Sequence, residues 1–321
     1  MDLTPDPLLL LLAVVLDGAV GDPVYALHPV RLAGAALARI EAVLRRLRLD
    51  GYFGGCLLFA GLSFLCLGLV VAAAWALGQV SPVLVSVFHL YVLYSLLALG
   101  DLCRHGLNID RAASALDLAA ARRAAAKLVA RDTARMDAAA CRRAGMESLG
   151  ENAVDGFISP LFWYALLGLP GIVLFKVIST MDSVVGNKTP NYVRFGWCGA
   201  RLDDLFNYLP ARLTFWLMVL VAWLLPGCSS RKALSVGWRQ HGLVPGPNSG
   251  WSEAPTAGAL QCRLAGPIWQ GGVRITDVWL GLPEDPEGGR PGDIPRACIF
   301  VTTTCLIFAA ATALAIWRLC T

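Results

Sequence analysis

The sequence predicts an all-α, polytopic integral membrane protein, and two observations support that fold class. Of the 321 residues, 56% are hydrophobic and only 16% are charged, and the mean hydropathy is +0.59, whereas a soluble domain carries about 25% charged residues. Runs of about 20 apolar residues recur along the chain, which is the length that a helix needs to cross a bilayer. These runs are rich in Leu, Val and Ala and lack the alternation of membrane strands, so helices are favoured over a barrel.

The apolar runs define one expected membrane-embedded domain over residues 1–321. The hydrophobic segments are expected at about 7–21, 53–77, 82–99, 156–181, 213–226 and 298–319. The first run follows Asp2 and Asp6 instead of a basic stretch and precedes no small-residue cleavage site, so we interpret it as a retained helix and not as a signal peptide. A short uncharged link, LGQVSP, joins the second run to the third and predicts an antiparallel hairpin.

Arginine is concentrated in two of the connecting segments, 22–52 and 100–155. Because basic loops remain on the cytoplasmic side, both segments are expected to face the cytoplasm. The Ala-rich composition of 100–155 favours helices, with Asp110 and Asp132 as candidate N-caps. The Gly/Pro-rich region 227–297 is expected to form polar loops that pack on the cytoplasmic segments. The protein is therefore expected in the cell inner membrane, with its polar site facing the cytoplasm.

The fourth apolar segment is interrupted by Pro170-Gly171. Proline in mid-run kinks or splits a helix, and each half of about 12 residues is too short to span a bilayer. A re-entrant hairpin near Pro170 would return residue 182 to the side from which the segment started, whereas one kinked crossing would leave it on the other side. The sequence leaves both arrangements open, and the clustered charges beyond residue 181 favour the first.

Several function classes are excluded by composition and motifs. The net charge of +4 comes without a basic stripe interleaved with aromatic residues, so no nucleic-acid partner is expected. The ten cysteines are scattered, without a C-x-x-C pair, and are expected to be small buried hydrophobes and not zinc ligands or disulfides. A Walker A motif is absent, so a bound nucleotide would not lie in a P-loop.

Three carboxylates stand four residues apart in MESLGENAVDG, at Glu147, Glu151 and Asp155. On a helix they share one face, where like charges repel. Arginine partners or a divalent cation would offset this repulsion, and Mg²⁺ prefers a few carboxylates together with phosphate oxygens. The alternative is a solvated acidic face beside Arg142 and Arg143.

The stretch MDSVVGNKTPNYVRFGWCGARLDD, residues 181–204, concentrates charges of both signs between two apolar runs. Its charged residues are Asp182, Lys188, Arg194, Arg201, Asp203 and Asp204. A carboxylate at the end of a membrane run is a functional candidate, and Lys and Arg near a Gly/Pro turn suit phosphate or carboxylate groups. The alternative is an interfacial cluster of salt bridges.

Two more polar stretches are candidates for substrate contact. GDPVYALHPVR offers His28 and Arg31 directly after the first apolar run, although a single histidine is more often a hydrogen-bonded structural group. PNSGWSEAPTAG offers Asn248 and Glu253 in what we predict to be a loop, where Gly and Asn permit a ligand to approach the backbone closely.

Four stretches together resemble the membrane-bound cobalamin-biosynthesis proteins of the CobD or CbiB family, the adenosylcobinamide-phosphate synthases. They are LDGAVGDPVYALHPVRLAG, RDTARMDAAACRRAGMESLGENAVDGFISPLFWYALLGLPG, STMDSVVGNKTPNYVRFGWCGARLDDLFNYLPARLT and PNSGWSEAPTAGALQCRLAGP. They follow the family's order and reach from the first helix to about residue 267. Asn187, Asn191 and Gly246 depart from the residues usual in the family, and Asn191 puts affinity for a phosphorylated amine in question.

The resemblance implies an ATP-dependent amide ligation late in vitamin B12 synthesis. The substrates would be adenosylcobyric acid, a corrinoid, and (R)-1-amino-2-propanol O-phosphate or the free aminopropanol, with ATP and Mg²⁺. Membrane lipid and other late cobalamin-pathway enzymes are the expected partners.

Roles follow for the candidate residues as hypotheses within that resemblance. Mg²⁺-ATP would be held by Glu147, Glu151 and Asp155. Phosphates or the substrate carboxylate would be neutralised by Lys188, Arg194 and Arg201, and a second metal ligand or a base would come from Asp182, Asp203 and Asp204. His28 and Arg31 would contact substrate phosphate, and Asn248 and Glu253 would orient the amine or the corrinoid. Another class is left open, a transporter or accessory membrane protein that binds an anionic ligand, because broken helices and charges near the membrane also occur in transporters.

Overall fold

The protein is described by a computed structural model that covers residues 3–21, 25, 28–129, 131–187 and 189–320. Within these residues, five helical stretches are long and apolar enough to cross a membrane. They are Tyr52–Gly78, Pro82–Ser114, Ala138–Val185, Trp197–Leu224 and Asp293–Leu319. A sixth apolar helix, Pro7–Val20, has 14 residues and is about 21 Å long, less than the roughly 30 Å of a bilayer core. The prediction of a polytopic helical membrane protein is confirmed.

The chain groups into two compact units. The first comprises Met1–Ala98, Ser159–Asn207 and Ala309–Thr321, and the second comprises Leu99–Ile158 and Tyr208–Phe308. The expectation of a single embedded domain stays a prediction.

The first unit is built from six helices and the end of a seventh. The six helices are α1 (Pro7–Val20), α2 (Pro29–Arg46), α3 (Tyr52–Gly78), α4 (Pro82–Ser95), α8 (Ser159–Val185) and α9 (Trp197–Phe206). Its apolar core joins α2, α3, the second half of α8 and the turn before α9, through Leu37, Leu58, Leu62, Met181 and Phe195. The Tyr164 hydroxyl binds α8 to two other elements, since it lies 3.0 Å from His89 Nε2 on α4 and accepts the Asp6 N–H at 2.9 Å.

Helix α8 is broken at Gly168, two residues before the proline that the sequence suggested. Gly168 has φ 67° and ψ −153°, a conformation that is open essentially only to glycine. The second half begins at Leu169, whose N–H donates to the Leu3 carbonyl at 2.9 Å. Pro170 therefore lies in the first turn of a new helix, where its missing N–H costs nothing.

The two halves of α8 are bent relative to each other at this break. Trp163 Nε1 donates to the Phe206 carbonyl at 3.0 Å, and Met181 packs against Gly199, near the other end of α9. Helix α9 has ten residues and is about 15 Å long, whereas a straight helix from residue 163 to residue 181 would extend about 27 Å. The two arrangements that the sequence left open, a re-entrant hairpin and one kinked crossing, stay predictions.

Substituting Gly168 by Ala should destabilise the protein strongly. A Cβ at this position would lie 2.1 Å from the Leu3 carbonyl oxygen, and the backbone conformation alone costs a non-glycine residue about 1–3 kcal/mol. The matched control is Gly68→Ala on α3, where no atom lies within 4 Å of the added methyl group. Thermal unfolding in detergent should show a lowered Tm for the first variant and not for the second, and equal Tm values would contradict the strained bend.

The second unit contains the helices between and after these elements. They are α5 (Leu99–Ser114), α6 (Leu118–Ala125), α7 (Ala138–Ala153), a π-helical turn (Val154–Ile158), α10 (Tyr208–Leu224), α11 (Ser230–Gln240), α12 (Gly250–Leu260) and most of α13 (Asp293–Cys320). The prediction of helices within 100–155 is confirmed, but the expected caps are wrong. Asp117 and Asp137 cap α6 and α7, whereas Asp110 lies within α5, where its carboxylate binds Arg142 at 2.6 Å.

The region 227–297 is not the set of polar loops that the sequence predicted. It forms α11, α12 and two small antiparallel sheets, in which β1 (Leu264–Ala265) pairs with β4 (Trp279–Leu280) and β2 (Ile268–Gln270) pairs with β3 (Val273–Thr276). Helix α12 is buried along nearly its whole length. Its Ala, Gly, Ser and Thr side chains permit close packing without the high hydropathy that would have predicted burial.

Candidate functional site

Glu147 on α7 lies at the centre of a polar cluster in the second unit. Its carboxylate accepts a hydrogen bond from Arg131 Nη2 at 2.6 Å and another from the Ala265 backbone N–H at 3.1 Å. Both side chains are largely buried, with 13% of Arg131 and 10% of Glu147 exposed. Glu147 is therefore held by one cation and one backbone donor, so the side chain has a fixed position on the face that α7 turns toward β1.

Glu253, on the buried face of α12, is the second member of this cluster. Helices α7 and α12 approach closely at Gly150, where a Cβ would lie 3.3 Å from Thr256 Oγ1. Burial raises the pKa of Glu253 well above its usual range, and the charges of Glu151 and Glu147 raise it further, while Arg131 and the Ser249 hydroxyl oppose the change. A carboxyl group of this kind keeps its proton to higher pH, which is a property of acid–base groups at functional sites.

The raised pKa predicts how pH affects the stability contribution of Glu253. Above about pH 4.5, Glu253 loses its proton in the unfolded chain but retains it in the folded protein. Its contribution to the free energy of unfolding is therefore full below that pH and is lost as pH rises through the pKa of Glu253 in the folded protein. Glu253→Gln cannot titrate and should gain Tm relative to the native protein between pH 5 and pH 8. Glu284→Gln, which changes an exposed glutamate, is the control for the loss of one charge. The prediction is contradicted if the Tm difference between Glu253→Gln and the native protein does not grow with pH.

The other two carboxylates of the predicted metal set lie further along the same chain segment. Glu151 is exposed at the end of α7, and Asp155 is half-buried in the π-helical turn, a feature frequent at functional sites. Within the described ranges, no three His, Cys, Asp or Glu side chains are grouped so as to hold a metal ion. Each oxygen of Glu147 accepts one hydrogen bond, and the assignment of Glu147, Glu151 and Asp155 to Mg²⁺ stays a prediction.

Asn248 is fixed by a residue that the sequence analysis did not single out. Arg212 Nη1 donates to Asn248 Oδ1 at 2.6 Å and Nη2 donates to the Pro247 carbonyl at 3.1 Å. The Arg212 guanidinium lies 3.6 Å from the centroid of the Tyr208 ring and 5.2 Å from that of Trp251. Arg212 lies in NYLPARLT, the end of one of the four stretches that resemble the CobD or CbiB family. This location was the only indication in the sequence that Arg212 belongs to a site.

In the first unit, the predicted aspartates lie where α8 and α9 meet. Asp182 is half-buried and lies close enough to Asp204 for their charges to interact. Arg201 is 3.6 Å from Asp204 in an exposed pair, and Asp203 accepts a hydrogen bond from Asn207 at 3.0 Å. Asn207 in turn accepts one from Ser159 at 2.5 Å. The structure therefore brings Asp182, Arg201 and Asp204 together, while Asp203 binds Asn207 at the end of α9.

The remaining predicted residues of this unit are more dispersed. Arg194 is exposed in the turn before α9, and Lys188 lies outside the described residues. His28 is buried at the start of α2, with its ring 5.3 Å from that of Tyr25. Arg31 is exposed and donates to the Tyr25 carbonyl at 3.3 Å. Their assignment to a site stays a prediction.

Known proteins resemble this chain over nearly its whole length. The family described as CobD/Cbib protein matches residues 10–301. A relative from Pelobacter propionicus, named "Cobalamin biosynthesis protein CobD", is 37% identical over 317 residues, which cover 99% of this chain and 95% of the relative. Proteins of the same name from Rhizobium meliloti and from a Sinorhizobium species are 38% and 40% identical, and the matches cover 85% and 86% of this chain and 86% and 88% of the relatives.

No solved structure matches the chain. The family match includes both groups of polar residues described above, on α7 and α12 and on α8 and α9. The chain belongs to the CobD/CbiB family.

Proposed function

We propose that this protein acts in cobalamin biosynthesis and joins adenosylcobyric acid to (R)-1-amino-2-propanol O-phosphate, or to free aminopropanol, at the expense of ATP. The family membership and the names of the relatives support the pathway. The observation that supports the chemistry is Glu253, a buried carboxyl group of raised pKa beside Glu151 and the Arg131–Glu147 pair.

Amide formation from a carboxylate needs activation followed by substitution. A carboxylate oxygen of the corrinoid attacks the γ-phosphorus of ATP, the bond to the β-phosphate oxygen breaks, and an acyl phosphate and ADP result. The amine nitrogen then attacks the carbonyl carbon, the carbon–oxygen bond to phosphate breaks, and the nitrogen loses one proton. The products are the amide, ADP and inorganic phosphate.

The residues of the second unit supply groups for both steps. Glu253 would take the proton from the attacking amine, since burial raises its pKa and so makes the ionised carboxylate a stronger base. Glu151 and Asp155 would hold Mg²⁺, which neutralises the charge that develops on the phosphates when it is bound. Arg131 binds Glu147 at 2.6 Å, and its charge opposes the rise in the pKa of Glu253 that burial causes.

The charged residues of the first unit would bind the anionic parts of the substrates. Arg194 and Arg201 are exposed guanidinium groups that suit phosphate or carboxylate, and Lys188, His28 and Arg31 are assigned to the same task. Asp182, Asp203 and Asp204 would serve as further metal ligands or as an alternative base. The arginine-rich segments 22–52 and 100–155 favour a cytoplasm-facing site, where other late enzymes of the pathway would exchange corrinoids with it.

A second candidate function is transport or accessory binding of an anionic ligand without chemistry. The break of α8 at Gly168 favours it, because discontinuous helices form binding sites in transporters.

A product assay on the detergent-purified protein separates the two functions. Adenosylcobyric acid, Mg²⁺-ATP and either amine are supplied, and the amide is sought by mass spectrometry. We expect the amide with at least one amine and none without ATP. Folded protein that yields no amide with either amine, yet accumulates the corrinoid in sealed vesicles, would replace the ligase with a transporter.

A further inference from the structure

Two arginines of the second unit face one aromatic ring outside the residues assigned so far. The guanidinium carbon of Arg143, on α7, lies 5.1 Å from the centroid of Trp279, and that of Arg263 lies 4.8 Å from it. Arg263 directly precedes β1, and Trp279 is in the partner strand β4. The pairing of these two strands therefore brings Arg263 to the Trp279 ring, which Arg143 approaches from α7.

A single carboxylate bridges the two guanidinium groups. Glu287 Oε1 accepts from Arg263 Nη2 at 3.1 Å, and Glu287 Oε2 lies 3.8 Å from Arg143 Nη1. We propose that Arg143 and Arg263 form a binding site for a substrate phosphoryl group, and that the Glu287 carboxylate occupies this site until the phosphoryl group displaces it. The inference rests on the proposed ligase function for the identity of the ligand, and it deepens that function by locating a phosphate.

The arginines have hydrogen-bonding capacity that Glu287 does not use. Arg143 Nη1 also donates to the Gly288 carbonyl at 3.3 Å. In the described part of the chain, however, the buried Nε atoms of Arg143 and Arg263 have no hydrogen-bond partner. Leaving a buried donor without a partner is unfavourable, and a phosphoryl group offers more acceptor oxygens to two guanidinium groups than one carboxylate does.

Glu287 can leave the site without disturbing the backbone around it. The Arg263 N–H donates to the Pro286 carbonyl at 2.8 Å, and the Gly288 N–H donates to the Arg263 carbonyl at 2.9 Å. These bonds fix the segment on both sides of Glu287, whereas its side chain remains 54% exposed. Exposed ion pairs contribute little to stability, so a dianionic ligand can replace this carboxylate at small cost.

The proposed site adjoins the carboxylate cluster through two elements. Arg143 precedes Glu147 by four residues on α7, so both side chains lie on the same face of the helix. Arg263 is two residues before Ala265, whose N–H binds Glu147. A phosphoryl group here would lie beside the acid–base residues, and it could belong to ATP or to the phosphorylated amine.

Binding measurements on the full-length protein in detergent test this inference. Titration calorimetry with ATP, aminopropanol phosphate and inorganic phosphate is compared for the native protein and for Arg263→Gln, Glu287→Gln and the control Glu284→Gln, which alters an exposed glutamate of the same segment. We expect Arg263→Gln to weaken binding of one phosphoryl ligand by roughly 10- to 100-fold. Glu287→Gln should tighten it several-fold, and Glu284→Gln should leave it unchanged.

The pattern across the ligands identifies the source of the phosphoryl group. An effect confined to ATP assigns the site to the nucleotide, and an effect confined to aminopropanol phosphate assigns it to the amine. If Glu287→Gln binds all three ligands as the native protein does, the inference is overturned. Because the Glu287 side chain is exposed, misfolding of this variant would not explain such a result. If the native protein makes the amide and the Arg263→Gln variant has the same KM values as the native protein, only this inference is contradicted. If the native protein makes no amide, the proposed function is contradicted.

Discussion

Replacing Glu253 by Gln is expected to slow amide formation by roughly 10²- to 10⁴-fold, the usual contribution of a general base. The substitution retains the shape of the side chain and its hydrogen bonding but removes the proton acceptor. Because the residue is buried and nearly isosteric with Gln, the variant should fold. The measurement is kcat under saturating ATP and amine, with Glu284→Gln as the control that should retain the native rate.

The pH profile distinguishes this role from a structural one. In the native protein, kcat should rise with pH as Glu253 loses its proton, at a pH above the usual range for glutamate because burial raises its pKa. In Glu253→Gln this rise should disappear. A variant that keeps both the native rate and the native profile would remove Glu253 from the mechanism and shift the base to the aspartates of α8 and α9.

Substituting Arg131 by Met should destabilise the protein by about 3–5 kcal/mol, the typical cost of breaking a buried ion pair from one side. Among the described residues, the change leaves the Glu147 carboxylate, of which 10% is exposed, with the Ala265 N–H as its one remaining donor. The double variant Arg131→Met with Glu147→Met should recover much of the loss, because it removes the unpaired charge. Denaturation in detergent measures the four corners of this double-mutant cycle.

The Arg142–Asp110 pair is a matched comparison for this prediction. It has the same 2.6 Å separation and similar burial, with 6% and 16% of the side chains exposed, but it joins α7 to α5. Arg142→Met should also destabilise the protein, yet the protein that remains folded should keep its KM values, whereas Arg131→Met should not. Equal kinetic effects from both variants would show that Arg131 acts only as a structural residue.

Hydropathy was sufficient to predict the membrane helices because each span is a local property of about 20 residues. The carboxylates of α7 were also predictable, since Glu147 and Glu151 share a helical face by spacing alone. The break of α8 was placed two residues too late, because proline is the visible signal while the bend is set by Gly168 and its contact with Leu3.

The partners of the candidate residues could not be predicted in the same way. Arg131 and Glu147 are 16 residues apart, and Arg212 and Asn248 are 36 apart, so no periodicity relates them. The location of Glu253 on a buried helix was missed because α12 achieves burial through small residues such as Ala254, Gly258 and Thr256. Contacts formed by packing between helices determine the electrostatics of the site, and a single sequence does not record them.

The central claim is that this chain itself activates the corrinoid carboxylate with ATP and transfers it to the amine. Adenosylcobyric acid labelled with ¹⁸O in the reacting carboxylate tests it most directly, in a reaction with purified protein, Mg²⁺-ATP and the amine. The account predicts one ¹⁸O atom in the inorganic phosphate released for each amide formed, because the carboxylate oxygen that attacks ATP leaves with the phosphate. Amide that forms without any label in a phosphorus-containing product would contradict it.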